Sequence, residues 1–130
     1  MKVVVAGLLM KDGQCLIAKR RTGDALANLW EFPGGKIEIG ETPEECLRRE
    51  MLEELQIDVE VGQFFAESSY EYEFGRIQLF VYWVSWNGDT LSSTVHDEIA
   101  WVDPQTILNY KFVPADIPIV EKLICCKEKF

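Results

Sequence analysis

The octapeptide RREMLEEL, Arg48 to Leu55, places three carboxylates at spacings that only a helix brings together. Glu50, Glu53 and Glu54 stand at i, i+3 and i+4, so on an α-helix they share an arc of roughly 100°. Like charges so spaced weaken a helix by about 0.2–0.5 kcal/mol per pair. Two readings account for them. One is a solvated face laced with salt bridges, in which Arg49 reaches Glu45 and Glu53 at four-residue spacing. The other is a seat for a hard divalent cation, since Mg²⁺ takes oxygen ligands and commonly bridges a few carboxylates to substrate phosphates. No Lys or Arg falls inside the arc of the three glutamates. Spacing alone leaves the two readings balanced.

Charge bears on the same choice. The 130 residues carry 13 Lys and Arg against 22 Asp and Glu, a net charge of −9. Such a chain lacks the basic patch of a nucleic-acid groove. It would also repel a polyphosphate unless cations sat between the two. A hydrophobic content of 48% with 27% charged residues is ordinary for a soluble globular protein. The length fits a single domain, residues 1–130, able to bury a core without staples.

Cys15, Cys46, Cys125 and Cys126 lack the C-x2-C spacing of zinc ligands and are expected to be reduced thiols of a cytoplasmic protein. The apolar run VVVAGLLM, with one Lys before it, no small-residue cleavage site and KDG directly after it, reads as a buried first strand rather than a signal segment. No stretch approaches the ~18 apolar residues of a membrane span.

The carboxylate helix needs a defined start, and TPEE supplies it. Thr42 is the predicted N-cap, Pro43 the first helical residue and Glu45 the partner in a capping box. Leu47, Met51 and Leu55 form its apolar stripe, and the helix should end near Leu55 or Gln56. Upstream, Val3 to Met10 and QCLIAKR read as a hairpin turning at KDG; RTGDALANLW reads as a loop and EFPGGKIEIGE as irregular or short strand. Downstream, residues 57–74 and 76–86 alternate as two antiparallel strands turning at Gly75, and IAWV is a short strand. A helical turn is expected around Gln105–Asn109. PADIPIVEKLICCKEK reads as a C-terminal helix that starts or kinks at Pro118. The expected class is α+β, with helices packed on a sheet.

Gly35 to Ile57, GKIEIGETPEECLRREMLEELQI, resembles the Nudix box, G-x5-E-x7-R-E-U-x-E-E-x-G-U with U aliphatic. Gly35, Glu41, Arg49, Glu50, Met51, Glu53, Glu54 and Ile57 fall on the pattern. Gln56 departs from it, standing where the family has a glycine that closes the helix in a left-handed conformation. A non-glycine there costs about 1–2 kcal/mol. LWEFPGGKIE, AKRR and PADIPIVEKL are similar to the MutT-type branch. The resemblance implies the Nudix fold, an α/β/α sandwich with a curved mixed sheet between helices.

It also implies a Mg²⁺-dependent enzyme, with Mn²⁺ a possible substitute, that hydrolyses nucleoside triphosphates to the monophosphate and pyrophosphate. The lead substrate is 8-oxo-dGTP, in nucleotide-pool sanitisation linked to DNA repair. CTP, dCTP or 5-methyl-dCTP is the alternative, and a non-catalytic nucleotide-binding module the alternative of another class. Neither nucleic-acid polymer nor membrane is expected as partner, and the protein would be a monomer or weak homodimer.

In family terms Glu50, Glu53 and Glu54 hold metal, with the Gly34 carbonyl and Glu98 as further ligands. Glu53 is the first candidate for general base, with Glu98 or Glu41 as alternatives. Arg49 orients the glutamates. Arg21 and Lys36 are candidates to grip phosphates, whereas Lys19 and Arg20 read equally well as solvated cations. Asp116 in PAD faces the base. An ionised Asp only accepts hydrogen bonds, which suits the N4 amino group of cytosine or the N7–H of oxidised guanine. The competing reading makes Asp116 a helix cap. Trp30, Phe32, Tyr72, Phe74 and Phe80 could stack a base, Phe74 foremost. His96, the only histidine, is expected on a loop surface.

Overall fold

The computed structural model describes residues 1–88, 90–93 and 95–125. Its centre is β1 (Lys2–Lys11), the apolar run read as a first strand, with Val5, Leu8 and Leu9 fully buried. The chain returns into β2 (Gln14–Arg20) through Asp12 and Gly13, with φ of 53° and 77°. Positive φ at both central residues is what a two-residue hairpin turn requires, and Asp-Gly provides it.

β1 runs parallel to β6 (Gly75–Ser85) along Lys2–Leu9, and β6 pairs antiparallel with β5 (Glu60–Tyr72) across a turn at Glu73 and Phe74. The other edge of β1 divides between two partners. Val4–Ala6 pair with β4 (Gly34–Lys36), whereas Met10 and Lys11 pair with β2. β2 holds β3 (Trp30–Glu31) and β7 (His96–Val102). One parallel pair among antiparallel ones makes the sheet mixed.

Alternation along β1 feeds a core on each face. Val5 and Leu9, with Leu16, pack on Leu47, Met51 and Leu55 of α1 (Pro43–Leu55). Ala6 and Leu8, with Ile17, pack on Ile119, Val120 and Leu123 of α2 (Ile117–Cys125). Gly7 lets α1 approach, since a Cβ there would lie 2.7 Å from Met51 Cε. The α/β/α sandwich is therefore present.

Three expectations change in detail. β7 begins at His96 rather than at Ile99, absorbing the residues read as a loop. The helical turn is a 3₁₀ segment at Ile107–Asn109. PAD forms a separate 3₁₀ turn, Pro114–Asp116, before α2, and Pro118 falls in the first turn of α2, where its missing N–H costs little. Cys126 and the four residues after it lie outside the described residues. Among the described residues no helix is long and apolar enough to cross a membrane.

Candidate active site

The capping box fixes the start of α1. Thr42 Oγ1 accepts from the Glu45 N–H at 3.1 Å, and Glu45 Oε1 accepts from the Thr42 N–H at 2.9 Å. Glu45 is thereby committed to the cap, and Arg49 turns elsewhere. Its Nε and Nη2 donate to Glu41 Oε2 and Oε1 at 2.6 and 3.0 Å, a two-pronged grip. Its Nη1 donates to Glu50 Oε1 at 2.7 Å and to Glu53 Oε1 at 2.8 Å. The hydrogen bond from Arg49 holds the Glu41 carboxyl below the usual carboxylate range.

Two glycines set the depth of this cluster. A Cβ at Gly34 would run into the Val5 carbonyl and the Ala6 Cα, so β4 could not close on β1. One at Gly35 would strike the Glu50 carboxylate, which rests against the β4 backbone instead. Glu50 is consequently 15% exposed, and burial raises its pKa. Burial, and then the charges of Glu50, Glu31 and Glu53, push Glu54 up to about 8 against the opposing pull of Arg20.

Among the described residues, no three His, Cys, Asp or Glu side chains stand close enough to hold a metal ion. Glu50 and Glu53 are drawn to Arg49, while Glu54 lines a cavity. The donors still suit a hard cation. They are all oxygen, the Gly35 cradle holds Glu50 in place, and like charges crowd Glu54 in a way that a divalent ion would relieve.

The cavity has a volume of ≈ 610 Å³ and is lined from both sides of the divided β1 edge, by Val4 and Ala6, by Gly34 and Gly35, and by Arg20 and Glu31. Lys36, Glu50 and Glu54 join them, and Phe32, Tyr72 and Phe74 supply an aromatic wall. Tyr72 and Phe74 stack at 5.0 Å and 4° between planes. The PAD turn is pinned to β3 by hydrogen bonds from Trp30 N to the Lys111 carbonyl and from Val113 N to the Trp30 carbonyl. That pinning brings Asp116, 4% exposed, to the cavity wall, where its Oδ2 accepts from the Phe32 N–H at 2.9 Å. The carboxyl thus holds an amide between β3 and β4 rather than one of α2. Burial raises its pKa to about 8, with the Phe32 N–H opposing and Glu31 reinforcing.

Residues 1–123 match the NUDIX domain family. The chain belongs to the Nudix family. Over 124 residues, 95% of this chain and 92% of the relative, it is 36% identical to the CTP pyrophosphohydrolase of Escherichia coli strain K12. It is 32% identical over 123 residues to an 8-oxo-dGTP diphosphatase of Haemophilus influenzae, covering 93% of this chain and 90% of that one. The solution structure of the E. coli ORF135 protein superposes with a TM-score of 0.86 at 36% identity, covering 98% and 91% of the two chains. The protein is thus a Nudix hydrolase with MutT-type relatives, and Nudix hydrolases generally need a divalent metal.

Set against this Nudix site, Gly34, Lys36, Glu50, Glu54 and Asp116 line the cavity as the sequence suggested, and so do Phe32, Tyr72 and Phe74 of the aromatic candidates. Glu41 and Glu53 join Glu50 through Arg49. Arg21 and Glu98 are not on the lining. Arg21 is exposed beyond the end of β2, and the arginine of the cavity is Arg20; Glu98 is exposed on β7 opposite Lys19. Trp30 packs edge-on against Tyr110 and Phe80 beside Phe64, both away from the lining. His96 is not on a loop surface: its side chain is 4% exposed at the start of β7. Glu31 was missed although it lies within LWEFPGGKIE, because a two-residue strand carries no periodic signal to orient it.

Proposed function

We propose that this Nudix hydrolase is a Mg²⁺-dependent nucleoside triphosphate pyrophosphohydrolase whose favoured substrate is 8-oxo-dGTP. The observation that carries the base assignment is the burial of the Asp116 carboxyl at the cavity wall, which raises its pKa to about 8 and favours the protonated form near neutral pH. A neutral carboxyl offers one donor and one acceptor side by side. Oxidised guanine presents the complement, O6 as acceptor and N7–H as donor, whereas unoxidised guanine presents two acceptors there. The protonated state removes the repulsion that an ionised Asp116 would direct at O6. Cytosine is the second reading. Its N3 and N4 amino group also match a neutral carboxyl, and a relative covering nearly the whole chain is named for CTP.

Phe74, half exposed and stacked on Tyr72, is assigned to the base, and Lys36 to the phosphates. Glu50, Glu53, Glu54 and the Gly34 carbonyl are the groups that would hold Mg²⁺, which when bound screens the triphosphate charge and polarises phosphorus. Arg49 keeps Glu50 and Glu53 oriented. Glu53 is assigned as the general base, since Arg49 holds it through one oxygen only, whereas Glu41 is pinned two-pronged and Glu98 lies on β7 opposite Lys19, outside the Arg49 cluster. A water molecule loses its proton to Glu53 as its oxygen attacks the β-phosphorus. The bond from that phosphorus to the α,β-bridging oxygen breaks, releasing monophosphate and pyrophosphate.

Pyrophosphate release from 8-oxo-dGTP, dGTP, CTP, dCTP and 5-methyl-dCTP, with and without Mg²⁺, tests the assignment. Turnover that requires metal and ranks 8-oxo-dGTP first is expected. A ranking led by a cytosine nucleotide would install the second reading, and no turnover at all would overturn both.

A further inference from the structure

A chain of polar contacts runs behind the cavity wall. His96 Nδ1 lies 2.8 Å from Ser93 Oγ, and its Nε2 lies 3.0 Å from Glu31 Oε2. The other oxygen of Glu31 accepts from Arg20 Nη1 at 2.8 Å, and Arg20 Nε donates to the Ala25 carbonyl at 2.7 Å. Glu31 and Arg20 line the substrate cavity; His96 does not. We infer that His96 is a positioning residue, which fixes Glu31 and through it aims the Arg20 guanidinium at the substrate.

The sheet is built to make this contact. β2 and β7 pair Lys19 with Glu98 and then Arg20 with His96, so Asp97 is an extra, bulged residue. Bulges re-aim side chains next to functional sites. Without this one, Asp97 would stand opposite Arg20, and a carboxylate would replace an imidazole behind Glu31. Instead the Asp97 carboxylate turns to the Thr22 N–H and hydroxyl, at 3.0 and 3.2 Å. His96 takes the place opposite Arg20, on the sheet face that carries Leu16, Ile99 and α1.

Glu31 needs such a holder. It shares the cavity wall with Glu50 and Glu54, so its carboxylate depends on partners that fix its place. Arg20 is its partner, with side-chain exposures of 29% and 21% for the two. An ion pair that exposed is weakly ordered by itself, because it gains little over water and immobilises two long side chains. A buried imidazole with both nitrogens engaged supplies the missing rigidity. Arg20 Nε and Nη1 are then committed, and its remaining donors are fixed for a ligand.

The proposal rests on the nucleotide assignment only in taking the ligand of Arg20 to be a nucleoside triphosphate. Its test pairs steady-state kinetics with the ¹H–¹⁵N resonance of Arg20 Nε, which reads the guanidinium without turnover. His96→Ala is expected to raise KM about tenfold while kcat stays within about twofold, and to cost nothing further in an Arg20→Ala background. His96→Gln, whose amide can donate to Glu31, should recover most of the loss, and His96→Asn, too short to reach, should not. The Arg20 Nε resonance should broaden in the Ala and Asn variants and sharpen again with Gln. Additive effects of His96→Ala and Arg20→Ala, or an Arg20 resonance indifferent to His96, would overturn the clamp. Should His96→Ala fail to fold, the Asn and Gln pair carries the comparison. If the wild type turns over no nucleotide, the substrate assignment falls while the resonance still decides whether His96 holds Arg20.

Discussion

Asp116 shows how one carboxyl group can change meaning with its surroundings. As a residue type it reads as an acceptor, which alone would exclude guanine O6 from any base placed against it. Its burial at the cavity wall turns it into a donor and acceptor together, because the folded chain disfavours its charge. The same shift has a thermodynamic consequence. Between about pH 4, where the unfolded carboxyl ionises, and about 8, the folded state holds a proton that the unfolded state has released. The contribution of Asp116 to the unfolding free energy therefore falls as pH rises through that window and is complete only below it. Asp116→Asn keeps a donor and an acceptor but has nothing to ionise. Melting temperatures measured in metal-free buffer across the window should decline less steeply in the variant than in the wild type. Identical slopes would mean that Asp116 is charged in the fold and that its donor role is wrong.

At the scale of the element, α1 ends as the family's helix ends although its glycine is missing. Gln56 adopts φ 56° and ψ 38°, the left-handed cap, with its N–H on the Leu52 carbonyl at 3.1 Å. The strain of a Cβ there is offset in part by the side chain, whose Nε2 donates to the Glu53 carbonyl at 2.9 Å. Restoring glycine removes a strain of about 1–2 kcal/mol and loses one exposed hydrogen bond of about 0.5–1.5 kcal/mol. Gln56→Gly should thus raise stability by about 0.5 kcal/mol in urea unfolding at unchanged m-value. A loss of stability would show the amide bond outweighing the backbone. Features of this local kind, the Thr42 box, the Asp12–Gly13 turn and the α1 stripe, were legible in the sequence because each depends on a few neighbouring residues. His96 was not, and the reason is specific. Counting by two from Ile99 and Trp101 puts residue 96 on the opposite face, and only the Asp97 bulge reverses it. That Arg20 rather than Arg21 lines the cavity is equally hidden in the sequence, because the end of β2 is set by pairing with β3 and β7, which are distant in sequence. The parallel alignment of β1 with β6 is likewise non-local and leaves no spacing to read.

For the whole molecule, a net charge of −9 and a triphosphate ligand are reconciled only where cations gather. Lys2, Arg20 and Lys36 line the cavity, yet Glu31, Glu50 and Glu54 line it too, so the protein's own charges do not neutralise an added polyphosphate. Divalent metal is the term that closes this balance, and protons are its competitor. Without metal, Glu54 keeps its proton up to about 8, chiefly through burial and then through Glu50, Glu31 and Glu53. A cation that binds the ionised carboxylate must displace that proton, so its affinity for the folded state rises with pH. Because a ligand stabilises by RT ln(1 + [L]/Kd), the rise in melting temperature on adding Mg²⁺ should be larger near about pH 9 than near about pH 6. Sodium chloride at matched ionic strength separates site binding from general screening, since screening acts at both pH values and with either salt. An equal rise at both pH values, or one reproduced by sodium chloride, would remove the three glutamates of α1 from the metal site and return them to the solvated face that their spacing alone allows.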